Sequence, residues 1–290
     1  MNRMADLTSA LLDLLHELKG TDIKLIVGGG FGIYLRYREF LRTGSRTLLS
    51  ELPEPRSTND LDLFLRTELL VDHERVMALS RALDRLGYEA VETAKYYQFM
   101  KKGPEGGNAG SIKIDLLTGP ERTFEAMGLR TDPRRVRPTS SAHLHAHPVN
   151  EALTLEEHLM PVRVEGRLSV GENAEGEIFL PHSFTFLMMK LFAFRDCMND
   201  AAKDYGRHHA LDMYTIIALM TEEEWDSSVA MYAGHRGDPK IEEACGLIGT
   251  LFGSELDFGA LRLKENAYYR PEFQIADFLQ ALRDLFKRQV

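Results

Sequence analysis

The chain has 290 residues, enough for one large domain or two of ordinary size, and its 44% hydrophobic and 27% charged content is typical of a globular protein. With 35 basic and 44 acidic residues the formal net charge is −9, so any nucleic-acid binding must depend on local basic segments. No run approaches eighteen consecutive apolar residues, which excludes a membrane span, and Cys197 and Cys245 have no metal or redox spacing. We therefore expect a cytosolic (cytoplasmic) protein with reduced thiols and no membrane partner.

The first half of the chain predicts strands and helices in alternation. Residues 1–20 lack the apolar core and cleavage site of a signal peptide and predict an amphipathic helix. A strand over 22–27 runs into Gly28, Gly29 and Gly30, which open a helix. The elements predicted after this turn are a helix over 31–41, a strand within 56–65, a helix over 71–87, and strands near 96–102 and 111–117 joined by a glycine-rich hairpin turn.

The second half predicts mainly helices. Residues 128–150 are polar and contain prolines, so we place the junction between an N-terminal domain over 1–150 and a C-terminal domain over 151–290 in or soon after them. A short helix near 153–160 and a second hairpin around GENAEG precede the long helices. These helices are predicted over 182–199, 207–220, 222–233, 240–252 and 272–288. The predicted fold class is α+β, a mixed sheet with helices followed by a mainly helical C-terminal part.

Two aspartates interrupt the apolar pattern of a predicted strand, RSTNDLDLFL. In a strand Asp60 and Asp62 share one face, while Leu61 and Leu63 share the other. Neighbouring carboxylates repel each other, so this arrangement is costly without a cation between them. A divalent metal ion is the usual reason for it.

Three further features belong with this pair. Free N–H groups at the glycine turn suit a phosphate, because the absent side chains let a ligand approach the helix start. Asp115 in SIKIDLLTG is a third acid on an otherwise apolar strand, where it could share metal ions with the first two. Lys190 is the only charged residue between Pro181 and Phe194, so it needs an anionic partner such as a triphosphate oxygen or a site carboxylate.

In this order the segments IVGGGFGIYLR, STNDLDLFL and IKIDLLT resemble the glycine turn, Asp-x-Asp strand and third-carboxylate strand of the nucleotidyltransferase superfamily of DNA polymerase β-like fold. Lys190, the following Arg-Asp and then Asp212 resemble the AbiEii and MenT nucleotidyltransferase toxins of toxin–antitoxin systems, over roughly residues 23–221. The resemblance implies an enzyme that transfers a nucleoside monophosphate from an NTP to an acceptor and releases pyrophosphate. It implies a tRNA 3′ end as acceptor and a cognate antitoxin as partner.

The resemblance also implies the roles of particular residues. Asp60, Asp62 and Asp115 would hold Mg²⁺ or Mn²⁺ ions, and Asp115 would also help to activate the attacking hydroxyl. In-line transfer needs this charge neutralisation, which two metal ions provide on the attacking and leaving oxygens. The implied nucleotide-binding residues are Gly28, Gly29, Gly30 and Lys190, with Asp212 as a supporting catalytic residue.

The sequence departs from the family pattern at the turn, where Gly30 stands in place of the usual Ser or Thr and removes a hydroxyl contact to phosphate. The long segment between the turn and Asp60 carries arginines that would line an acceptor groove, and a second basic stretch follows Leu129. The candidate acceptor-binding residues are Arg36, Arg56, Arg134, Arg135 and Arg137.

Several alternatives stay open. In one alternative, the acceptor is a small molecule of the aminoglycoside type or a protein hydroxyl. The acidic net charge of the chain favours a cationic small molecule. A catalytically silent nucleotide-binding protein is a third alternative. His143, His145 and His147 alternate and suggest a zinc site, but without cysteines or carboxylates nearby a polar loop is favoured. Tyr96 and Tyr97 suit either base stacking or strand packing.

Overall fold

The structure, a computed structural model, describes residues 3–54, 56–94, 96–103, 110–138 and 143–287. The strands are β1 (Ile26–Val27), β2 (Asp60–Phe64), β3 (Glu89–Ala90), β4 (Gln98–Lys101), β5 (Ile112–Thr118), β6 (Arg130–Asp132), β7 (Arg135–Arg137), β8 (His147–Pro148), β9 (Met160–Arg167) and β10 (Asn173–Leu180). The helices are α1 (Arg3–Glu17), α2 (Gly29–Thr43), α3 (Thr67–Val71), α4 (His73–Arg85), α5 (Glu121–Ala126), α6 (Ser183–Cys197), α7 (Arg207–Leu219), α8 (Glu222–Gly234), α9 (Pro239–Leu251), α10 (Phe258–Lys264) and α11 (Ile275–Leu285).

Eight strands form one mixed sheet in the order β3, β4, β5, β2, β1, β10, β9, with β8 paired to β5. The central β2 runs parallel to β5 and antiparallel to β1, and β1 runs parallel to β10. β6 and β7 form a separate antiparallel hairpin. The predicted α+β fold class, with a mixed sheet followed by a mainly helical C-terminal part, is confirmed.

The chain forms two compact units. The first consists of Met1–Leu35, Ser57–Asn150 and His158–Pro181, and the second of Arg36–Arg56, Glu151–Glu157 and His182–Val290. The first unit holds the whole sheet, because β10 follows residue 150 yet pairs with β1. The units therefore do not coincide with the predicted domains 1–150 and 151–290.

Some local predictions were wrong. The segment 128–150 contains three strands that were not predicted, β6, β7 and β8, although a boundary between the two units does fall directly after it, at residues 150 and 151. The short helix predicted near 153–160 is a series of turns, and the predicted strand over 22–27 is limited to two residues. The glycine-rich hairpin turn before β5 lies mostly outside the described residues.

The second unit is organised around two helices that are buried on nearly every side. Most residues of α6 and of α7 are inaccessible to solvent, which suits their almost unbroken apolar sequences. Cys197 and Cys245 are both free thiols. None of the helices among the described residues is long and apolar enough to cross a membrane.

The turn between β1 and α2 depends on two glycines. A Cβ at Gly28 would lie 2.4 Å from Cε2 of the buried Phe64 ring. A Cβ at Gly29, whose φ is +59°, would lie 1.6 Å from Asp62 Oδ2. The Asp62 carboxylate therefore lies directly against the backbone at the start of α2, in a space that only glycine leaves open.

Gly29→Ala should lower the free energy of unfolding by more than Gly44→Ala does. Both glycines have a positive φ, +59° and +63°, so alanine strains either position by about 1 to 2 kcal/mol. Only at residue 29 does the added methyl group also overlap a carboxylate, since nothing lies within 4 Å of a Cβ at residue 44. Urea denaturation of the two variants measures the difference, and equal losses would contradict the Asp62 contact.

Candidate active site

One face of the central strands carries all three predicted carboxylates. In the parallel register of β2 and β5, Asp62 lies opposite Asp115 and Asp60 lies opposite Lys113. Residues paired in this way point to the same side of a sheet, so these four side chains share one face. The apolar residues directly before and after Asp62 and Asp115 are fully buried on the other face. The strand alternation thus brings the predicted residues together.

Lys113 joins two of these carboxylates. Its Nζ lies 3.3 Å from Asp60 Oδ2 and 3.0 Å from Asp115 Oδ2. Burial acts to lower the pKa of Lys113, but Asp115 and Asp60 outweigh this effect and raise the pKa, so the ammonium group is charged at neutral pH. Lys113 was not among the residues predicted from the sequence. Its alternation with Asp115 in IKIDLLT was the available signal, because positions i and i+2 of a strand share a face.

Of the two carboxylates that pair with Lys113, Asp115 is the less exposed. Its side chain is 14% exposed, against 39% for Asp60. Burial raises the pKa of Asp115, and the Lys113 ammonium only partly offsets the increase. Asp115 Oδ1 is buried and accepts no hydrogen bond from the described residues. This oxygen therefore keeps lone pairs available for a metal ion or a proton.

The carboxylates fit a divalent metal ion as a partial ligand set. Oδ2 of Asp60 and Oδ2 of Asp115 already converge on one cation, and Asp115 Oδ1 is available. Mg²⁺ is usually held by one or two protein carboxylates together with phosphate oxygens and water. Within the part of the chain that the structure describes, no group of three or more His, Cys, Asp or Glu side chains is arranged to hold a metal ion. The predicted three-carboxylate site stays a prediction.

The second unit contains a buried ion cluster around Asp212. Lys190 Nζ lies 2.7 Å from Asp212 Oδ2, and Arg56 donates from Nε and from Nη2 to the two carboxylate oxygens at 2.8 Å each. Lys190 is 6% exposed and Asp212 is 2% exposed. Burial alone would raise the pKa of Asp212, but Lys190 and Arg56 more than compensate and hold the pKa well below its usual range. The carboxylate of Asp212 is thus the anionic partner that Lys190 requires.

Two histidines at the start of α7 lie against this cluster. The rings of His208 and His209 are 3.9 Å apart between centroids. Burial, together with the charge of Arg56, lowers the pKa of His208 to about 4. Burial and the charge of Lys190 lower the pKa of His209 further. Both rings are therefore neutral at physiological pH.

The five arginines predicted to bind an acceptor have different surroundings. Arg36 is 4% exposed and pairs with Glu224 Oε2 at 2.5 Å, so it is not available to an acceptor and that prediction was wrong. Arg56 is held by Asp212 in the bidentate pair described above, which makes it a support for that carboxylate. Arg134 and Arg137 are exposed, and Arg135 is half-buried.

These last three arginines lie on or beside the β6–β7 hairpin, close to aromatic rings. The Arg135 guanidinium is 6.0 Å from the Tyr97 ring centre, and Arg137 pairs with Asp132 at 2.9 Å. Tyr97 O accepts a hydrogen bond from Leu116 N of β5, so this surface adjoins the strand that carries Asp115. We call this surface the basic–aromatic edge. It comprises Tyr96, Tyr97, Arg134, Arg135, Arg137 and His143.

Of the three alternating histidines, His143 belongs to this edge, and His145 and His147 contact it. His143 stacks on Tyr96 at 4.8 Å between ring centroids, and His145 meets the same ring edge-on at 5.0 Å. His147 Nδ1 lies 3.0 Å from Arg134 O. The rings therefore contact tyrosines and backbone, and the zinc alternative has no support among the described residues.

No protein-family model matches the chain, and no curated protein matches it significantly. Among solved structures, the chain resembles the antibiotic-resistance factor ANT(2″)-Ia, determined in solution. The match covers 79% of this chain and 96% of that chain, with 12% sequence identity and a TM-score of 0.34. A likeness of this size carries no argument about function.

Asp212→Asn should lower the free energy of unfolding by about 3 to 5 kcal/mol, because it leaves the buried Lys190 without a full counter-charge. Asp204→Asn is the matched control, since Asp204 pairs with Arg207 on the exposed surface and such pairs contribute about 1 kcal/mol or less. Chemical denaturation at neutral pH compares the variants. Similar small losses in both would show that the Asp212 cluster does not stabilise the second unit.

The free energy of unfolding should fall as the pH is lowered from about 6.5 towards 4. The folded-state pKa of His208, about 4, lies below its ordinary value of 6.5, so the unfolded chain binds more protons in this window and stability rises with pH. His208→Gln should flatten this dependence, with His16→Gln at an exposed position of α1 as the control. Denaturation at a series of pH values tests this, and an unchanged slope in His208→Gln would refute it.

Proposed function

We propose that the protein is a metal-dependent nucleotidyltransferase, an enzyme that transfers a nucleoside monophosphate from an NTP to an acceptor hydroxyl. One observation carries this proposal. Asp60 and Asp115 converge on a single cation position, on a sheet face whose third carboxylate lies against the glycine turn that opens α2. Carboxylates held together in this way, beside the start of a helix, suit a metal-bound triphosphate.

The proposed reaction forms a bond between the acceptor oxygen and the α-phosphorus of the NTP. The bond to the β-phosphate breaks, pyrophosphate leaves with the electron pair, and the hydroxyl proton must pass to a base. Divalent ions would supply charge neutralisation of the triphosphate and of the two reacting oxygens. Asp60, Asp62 and Asp115 would hold these ions, and Asp115 would also help to activate the hydroxyl. Backbone N–H groups at the glycine turn would bind phosphate oxygens, apart from that of Gly28, which donates to Asp62 O.

The resemblance to AbiEii and MenT toxins assigns phosphate binding to Lys190 and support to Asp212. The short contact between them favours the supporting role, because Asp212 fixes the position of the ammonium group. Arg56 binds the same carboxylate from its other side and fixes the position of Asp212 in turn. Asp212 and Arg56 would then act through Lys190 rather than on the nucleotide itself.

We propose a tRNA 3′ end as the acceptor. The basic–aromatic edge supports this choice, since exposed arginines bind backbone phosphates and tyrosine rings stack on unpaired bases. The edge adjoins β5, so an RNA bound there would lie beside the strand of Asp115. From the resemblance we also propose that this transfer is the activity of a toxin, with a cognate antitoxin as partner.

A small cationic molecule of the aminoglycoside type is the second candidate acceptor. The observation that favours it is the formal net charge of −9, which attracts a cation and repels RNA over distances longer than a single contact. A protein hydroxyl and a catalytically silent nucleotide-binding protein are weaker alternatives, because no observed feature favours either one.

Incubation with Mg²⁺, each α-labelled NTP in turn and total tRNA should label the RNA and release pyrophosphate. Asp60→Asn should reduce the rate by about 100-fold or more, because it removes a proposed metal ligand. Asp84→Asn, at an exposed position of α4, is the matched control and should stay within about twofold of the wild type.

The outcomes separate the alternatives. Labelling of cationic small molecules but not of RNA would replace tRNA with the second candidate. Nucleotide binding without pyrophosphate release from any NTP would contradict the proposed enzyme and favour a silent nucleotide-binding protein.

A further inference from the structure

Lys113 lies where a metal ion between Asp60 Oδ2 and Asp115 Oδ2 would lie. Its Nζ is within 3.3 Å of Asp60 Oδ2 and within 3.0 Å of Asp115 Oδ2, so both carboxylates direct an oxygen at the same point. Mg²⁺ requires oxygen ligands at about 2.0 to 2.1 Å. An ion bridging these two oxygens would fill the same gap and touch the ammonium group. The two cations therefore exclude each other.

The negative charge of this sheet face accounts for the position of Lys113 between the carboxylates. Asp60, Asp62 and Asp115 lie on adjacent positions of two paired strands, where ionised carboxylates repel one another. The single charge of Lys113 offsets part of this repulsion and holds two of the carboxylates turned towards each other. Without any cation the same carboxylates would turn apart or take up protons.

The side chain of Lys113 is also exposed enough to move away from the carboxylates. It is 31% exposed, whereas Asp115 is 14% exposed and is held in the middle of the sheet. A lysine ammonium sits on a flexible four-carbon stem and is strongly hydrated, so it can exchange its carboxylate contacts for water. The carboxylates can stay in place while the ammonium group moves.

We propose that Lys113 is a built-in counter-cation, which holds the carboxylate pair in the metal-free protein and is displaced when a divalent ion binds. This inference rests on the proposed function, because it takes Asp60 and Asp115 as the metal ligands. Lys113 is a positioning residue here and lowers the affinity for the free ion. The ion then binds well only when triphosphate oxygens add ligands, so metal and nucleotide load together.

The test measures Mn²⁺ binding without nucleotide, from the electron paramagnetic resonance signal of the free ion. Lys113→Met keeps the length of the side chain and removes its charge, and it should lower the Mn²⁺ dissociation constant by about tenfold. Lys101→Met is the matched control. Lys101 pairs with Ile112, so it lies on the opposite face of the sheet from Lys113 and should leave the affinity unchanged.

Thermal unfolding in EDTA and in Mn²⁺ gives a second measurement that needs no activity. Lys113→Met should unfold at a lower temperature than the wild type in EDTA, because its carboxylates lack a cation. Mn²⁺ should raise its Tm by more than it raises that of the wild type, as tighter binding to the folded state requires. An equal or smaller increase in Lys113→Met would overturn the proposal.

Two outcomes distinguish failure of the counter-cation from failure of the metal site. If the wild type binds Mn²⁺ in a manner that Asp60→Asn abolishes, and Lys113→Met binds no more tightly, then Lys113 is not a counter-cation while the metal site stands. If neither the wild type nor Lys113→Met shows Asp60-dependent Mn²⁺ binding, either alone or with a non-hydrolysable NTP analogue, both the inference and the metal-dependent function are overturned.

Discussion

Burial of one face of β2 and β5 fixes the charge on the other face, and the proposed chemistry depends on this constraint. The apolar residues that alternate with the acids are fully buried, so neither strand can turn its carboxylates away without exposing its core side chains to water. Each such residue would lose roughly 1.5 to 3 kcal/mol of burial. Burial of the apolar face therefore keeps Asp60, Asp62 and Asp115 close enough to repel one another, and a bound cation reduces this repulsion.

The same constraint explains the glycine turn. Asp62 lies on the antiparallel neighbour of β1, and its backbone O accepts a hydrogen bond from Gly28 N at 2.8 Å. This pairing brings its carboxylate against the first residue of α2, where any side chain larger than hydrogen would collide with it. The absence of a hydroxyl at Gly30 does not disturb this geometry, because the close approach depends on Gly29. The turn thus leaves space for the Asp62 carboxylate, whether or not it also binds a phosphate.

Local geometry was predictable from the sequence, whereas partners across the fold were not. Strand alternation alone predicts that Asp60 and Asp62 share a face. The apolar sequence around Lys190 predicts that its buried charge is paired with an anion. Lys113 was missed because a lysine in a strand ordinarily faces water, and only the register of β2 with β5 shows that it also contacts Asp60. Arg36 was misassigned for a similar reason, since its partner Glu224 is 188 residues away along the chain. The polar, proline-containing composition of 128–150 concealed three strands, each of only two or three residues.

The two ion clusters have opposite surplus charge, and this difference indicates what each can attract. On the sheet face, Lys113 pairs with two carboxylates, those of Asp60 and Asp115, which leaves an excess of negative charge among these three groups. Around Asp212, one carboxylate stands against Lys190 and Arg56, and the adjacent His208 is neutral because burial lowers its pKa to about 4. The first cluster therefore favours a cation and the second an anion.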